Sequence, residues 1–154
     1  MNRPSQPLLA LALSTALLAC GGGHDHPHPH GEEDDHHHEE VSLGTAQVGD
    51  LEVELAQGHG AVVAGAEGHL VVKLPYSDDG ATVVRAWIGT EDRTLSLVGK
   101  GDYAPSHDDY DIHADAPDPL PGGVQWWIEV QKPDGTKLVG SADPVLEAAP
   151  PTDG

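Results

Sequence analysis

Sulfur is almost absent from the 154 residues: one cysteine, Cys20, and one methionine, the initiator. A single cysteine excludes an intrachain disulfide, so any folded part must rest on an ordinary hydrophobic core. Beyond Cys20 the chain has neither thiol nor thioether, which excludes a dedicated copper(I) carrier, because soft sulfur ligands select that ion. Basic residues are also few, seven against 26 acidic, for a formal charge of −19. That balance opposes binding to nucleic acid or anionic lipid and suits metal ions or basic partners. Catalytic signatures are missing too: no Gly-x-Ser-x-Gly elbow, no phosphate loop, no His-Glu-x-x-His helix. An enzyme is not expected. After residue 41 no stretch sustains a 3.6-residue apolar period, so helices are not expected either.

What is present begins with an apolar run of 11 residues, Leu8–Leu18, behind a short polar opening that carries Arg3. Its length suits a secretory signal and is too short to span a bilayer as a helix. The run ends in Leu17-Leu18-Ala19-Cys20, which resembles the lipobox of bacterial lipoproteins. The resemblance implies cleavage of residues 1–19, acylation of Cys20 and anchorage to a membrane by two or three acyl chains, since one chain alone binds only marginally. Gly21 rather than Asp follows the cysteine, which in that family implies the outer membrane where a cell has two. The mature chain would be 135 residues with a charge of −20, because only Arg3 leaves among the basic residues.

Residues 24–40 hold seven histidines and seven acidic residues, with two prolines and no aliphatic side chain. Such a composition buries too little apolar area to offset chain entropy, so residues 20–44 are expected to be a disordered tether. The histidines are His24, His26, His28, His30, His36, His37 and His38. Neutral imidazoles and carboxylates are the ligands favoured by zinc, nickel and copper(II). Pro27 and Pro29 hold the preceding histidines extended, so the pattern predicts several overlapping weak sites and no rigid four-ligand one. The interspersed carboxylates raise histidine pKa values, which predicts loss of binding in mild acid. The segment resembles the His-rich N-terminal parts of periplasmic metal-handling proteins, including adaptor subunits of resistance-nodulation-division heavy-metal efflux systems. Arg85–Glu91 and Pro117–Pro121 are similar to a small all-β module found beside such adaptors. This resemblance implies a metal transport or efflux component as partner.

From Val41 onward short apolar alternations are separated by turn residues. Strands are predicted around Leu51–Leu55, Leu70–Leu74, Val83–Ile88, Leu95–Leu97, Asp109–Ala114, Val124–Gln131 and Lys137–Ser141, the last after a Pro133-Asp-Gly turn. About seven strands over residues 45–148 predict an all-β sandwich of the immunoglobulin or fibronectin-III kind, with a small open barrel as the alternative and 149–154 as a disordered tail. Period two puts Asp109, Asp111 and His113 on one strand face. His107 lies just upstream, and His59 in the Gly58-His59-Gly60 turn offers a ligand from another loop. These five are secondary metal candidates; His69 is expected to be an exposed flanking residue. The expectation for the whole chain is a lipid-anchored envelope protein whose arm binds divalent transition metals. The alternative is a structural lipoprotein whose sandwich docks to another envelope protein while the arm only spaces it from the membrane.

Overall fold

The computed structural model describes residues 39–147. The signal segment, Cys20, every histidine from His24 to His38 and the tail from 148 onward lie outside the described residues.

The regular structure among the described residues is nearly all strand: β1 (Val41–Val48), β2 (Leu51–Gly58), β3 (Glu67–Lys73), β4 (Val83–Gly89), β5 (Gly99–Lys100), β6 (Asp102–Ala104), β7 (Asp109–Asp115), β8 (Gln125–Gln131) and β9 (Lys137–Ala142). Alternation explains the strands. Val53, Leu55, Leu70, Val72, Val84, Ala86, Ile88, Tyr110, Ile112, Ala114, Trp126, Ile128 and Val130 all point into one core, while their neighbours point outward.

Paired strands follow the order β5-β4-β8-β9-β1-β2-β3-β7-β6, every pair antiparallel. The ladder thins to a single pair, Val48 with Gly140, between β1 and β9, and there it folds into two layers. A Cβ on Gly140 would lie 2.1 Å from the Gln47 carbonyl oxygen, so only glycine lets β9 come this close to β1. The layer β2-β3-β7-β6 faces β5-β4-β8-β9, the strand order of an immunoglobulin sandwich, with β1 added beside its first strand. At the opposite edge the chain steps from β5 through Gly101 to β6, where Gly101 N–H donates to the Val84 carbonyl.

One polar group is built into this core. Gln57 is 1% exposed. Its Oε1 accepts from Trp126 Nε1 and from Val145 N, both at 3.0 Å. Its Nε2 donates to the carbonyls of Gly60, at 2.6 Å, and Val145, at 3.1 Å. All four hydrogen-bonding positions of the amide are therefore filled, and they tie β2, β8, the C-terminal segment and the turn after β2 together.

Three expectations need correction. The described residues form nine strands where about seven were expected, two of them only two and three residues long, and the first begins at Val41, inside the segment 20–44 expected as tether. Leu95–Leu97 is not a strand: Arg93–Leu95 forms a 3-10 turn whose first backbone N–H groups are capped by Asp92, which accepts from Thr94 N at 3.0 Å. Leu95 stands 88% exposed there. The cap offers the backbone a local alternative to pairing, and the two leucines have no facing strand to pack against.

Candidate metal centre on the outer face of the first layer

The site is made by register. Gly58 of β2 pairs with His69 of β3, and His69 pairs with His113 of β7. The core residues are odd-numbered on β2 (Val53, Leu55) and even-numbered on β3 (Leu70, Val72) and β7 (Tyr110, Ile112, Ala114), so Gly58, His69 and His113 form one row on the outer face. Gly58 has no side chain to block that row: a Cβ there would lie 2.2 Å from His69 Nδ1. His69 lies down over the glycine and becomes 6% exposed. The expectation that His69 is merely exposed is therefore wrong.

His59 reaches the same place from the turn. Its φ is +60°, a conformation that costs a non-glycine residue of order 1–3 kcal/mol and is held only when its surroundings insist on it. The Gln57 to Gly60 hydrogen bond supplies that hold. The three imidazoles are then mutual neighbours, with ring centroids 4.9 Å apart for His59 and His69, 5.6 Å for His59 and His113, and 4.7 Å for His69 and His113, the last pair stacked.

Two carboxylates hold the rings. His69 Nε2 lies 3.1 Å from Asp111 Oδ1, and His113 Nδ1 lies 3.2 Å from Glu67 Oε1. An ionised carboxylate only accepts, so each neutral ring places its hydrogen on the nitrogen facing the acid. For His69 this leaves Nδ1 as the nitrogen with the lone pair, whereas Nδ1 of His113 and Oε1 of Glu67, 3.2 Å apart, stand at the separation of two ligands of one ion. One ligand atom each from His59, Glu67 and His113 lies within 4.8 Å of the others. Ligand atoms around a tetrahedral zinc, at about 2.0–2.2 Å, stand about 3.3–3.6 Å from one another. All three side chains are exposed and can close that difference by rotating.

The expected candidates divide accordingly. His59 and His113 are brought together, and Asp111 joins them through His69. Asp109 shares the face but stands four residues along β7 from His113, about 13 Å away at strand rise. His107 is at the far end of β7, in the turn where its N–H and that of Asp108 bond to the Ala104 carbonyl. Glu67 and His69 were not among the expected ligands; the cross-strand register that recruits them is not written in local spacing.

Asp109 instead lines a groove with Ser42, Gly44, Ala56, Val71 and Lys73. Burial first, and the Asp111 carboxylate second, raise its carboxyl above the usual range. A carboxyl raised on folding destabilises the protein when ionised. That penalty is absent below the ordinary carboxylate pKa and grows as pH rises through the folded value. Asp109→Asn is therefore expected to raise the melting temperature at pH 7 and leave it unchanged at pH 3, by thermal scans at both.

The outer face of the other layer differs in charge. Arg85, Lys100 and Lys137 project from it, with Arg93 from the turn. Glu129, 5% exposed, takes Arg85 and Arg93 at 3.2 Å and Lys137 at 3.3 Å. Trp87 and Trp127 stack at 6.2 Å beside them, and the Arg93 guanidinium lies 5.7 Å from the centre of the Trp87 ring.

No family model, curated protein or solved structure matches the chain. Function is therefore argued from the site itself.

Proposed function

We propose that this chain is a lipid-anchored protein of the cell envelope that binds divalent transition-metal ions, zinc, nickel or copper(II), without catalysing a reaction. The observation that carries the reading is the convergence of His59, Glu67 and His113 in a domain that follows an arm of seven histidines. Imidazole and carboxylate together are ligands for borderline ions, whereas calcium and magnesium ask for oxygen alone. The arm offers many imidazoles and carboxylates close together in sequence, and the domain offers one site whose ligands sit on two paired strands and the turn beside them. Captured ions would pass to a metal transport or efflux component of the envelope. The lipid on Cys20 would keep both binding regions at the membrane.

Calorimetry with zinc, nickel and copper(II) at pH 7.5 tests this on the mature chain from Gly21 and on a form starting at Glu39. More than one ion per chain is expected for the first, and one for the second. Absence of binding to either form would end the reading, and equal stoichiometry in the two would remove the arm from it.

A second reading, docking to another envelope protein, is favoured by the other layer. Leu95, Leu97 and Val98 are exposed in the segment that follows Arg93, whose guanidinium lies 5.7 Å from the Trp87 ring, and exposed apolar side chains near a cation suit a protein partner with acidic residues. Arg93→Glu would weaken co-purification of such a partner from envelope extracts while leaving metal binding unchanged. The two readings are compatible, because the two faces are separate.

A further inference from the structure

His69 is the least expected part of the cluster. Its Nδ1 is buried, yet among the described residues no hydrogen-bond donor meets it. A buried polar atom without a partner destabilises the fold, and such atoms in folded proteins call for a reason. Solvation does not supply one here, because the atom lies over the bare Cα of Gly58 and beneath the His59 and His113 rings.

The hydrogen bond on the other side of the ring gives the reason. Asp111 holds Nε2–H, which fixes the tautomer that leaves a lone pair on Nδ1. A carboxylate bonded to one imidazole nitrogen while the other nitrogen faces a metal is the usual support of a ligating histidine. We propose His69 Nδ1 as the fourth ligand of the centre, brought to the ion when the His69 and His113 rings, parallel as they stand, turn towards it. One divalent ion of the zinc class would then be held by three imidazoles and one carboxylate, with Asp111 as the positioning residue for His69. This rests on the metal-binding reading of His59, Glu67 and His113, and it changes what kind of site that is. Three protein ligands leave a position open to water or substrate, whereas four close it, as in structural and storage sites. Domain and arm would then have different tasks: slow, tight retention on the domain and rapid exchange on the arm.

Zinc and cobalt(II) are the probes. They are titrated into the mature chain with every histidine from His24 to His38 changed to serine, so that only the domain binds. His69→Gln retains an amide N–H for Asp111 and removes the Nδ1 lone pair. The variant is expected to bind zinc at least about tenfold more weakly, by the scale seen when such groups are lost. Its cobalt(II) absorption should also fall from tetrahedral intensity towards that of five or six ligands. Equal affinity and an equal cobalt spectrum in parent and variant would overturn the assignment while leaving the three-ligand reading intact. A parent that binds neither ion defeats that reading as well, so the two failures are distinguishable. Should His69→Gln not fold, judged by loss of the near-ultraviolet tryptophan signal, the parent still decides. Zinc must then shift the 15N resonance of His69 Nδ1, and an unmoved resonance overturns the proposal.

Discussion

Saturating zinc is expected to raise the melting temperature of the form starting at Glu39 by about 10 °C at pH 7.5, and His113→Ala to abolish that gain. A ligand that binds only the folded state at a hundred times its dissociation constant adds about 2.7 kcal/mol. A domain of this size shifts by about 4 °C per kcal/mol. His113 is suited to the test because its side chain is 46% exposed, so its removal leaves no cavity and should barely change the metal-free protein. The gain should also vanish in the unmutated form at pH 5, since imidazole ligates only when neutral and protons then compete with the ion. Thermal scans with zinc and with a chelator, at both pH values, check this. A zinc gain that persists in His113→Ala would place the ion elsewhere on the domain.

The second large effect is on the fold. Gln57→Leu keeps roughly the volume and removes the amide, leaving Trp126 Nε1 buried without an acceptor, the half-buried Val145 N without its acceptor and the Gly60 carbonyl without its donor. Each orphaned group costs about 1–3 kcal/mol, and relaxation recovers part of that, so a loss of about 3 kcal/mol is expected. That corresponds to a fall of about 12 °C, readable in urea or thermal unfolding. The change should reach the site as well, because the same amide holds the turn that keeps His59 at positive φ. Weaker zinc binding is expected even at temperatures where the variant is fully folded. Unchanged stability would mean that the network contributes little beyond its apolar packing.

The sequence foretold the fold where alternation was long and one-sided. In β2, β4, β7 and β8 the inward residues are those expected, because period two alone decides which face is buried. β1 escaped because its outer half buries nothing and a bulge between Ser42 and Gly44 breaks its register. β5 and β6, of two and three residues, are too short to show any period. Leu95 and Leu97 imitated a strand because two apolar residues two apart are too few to tell pairing from a capped turn.

The site divides along the same line. His59 and His113 were legible because a Gly-His-Gly turn and a period-two face are local signals. Glu67 and His69 were not, since what recruits them is the pairing of His69 with both Gly58 and His113, a relation between segments far apart in sequence. Gly58 had a readable role in the turn, but its second role, leaving room for an imidazole, shows only once the strands are in register.

Anomalous diffraction at the zinc edge, from crystals of the form starting at Glu39 grown with zinc, tests the central claim most directly. The expected result is one strong peak among His59, Glu67 and His113, with ligand distances of about 2.0–2.2 Å. A peak at another place on the domain, or none at a concentration that saturates the protein in solution, would contradict it.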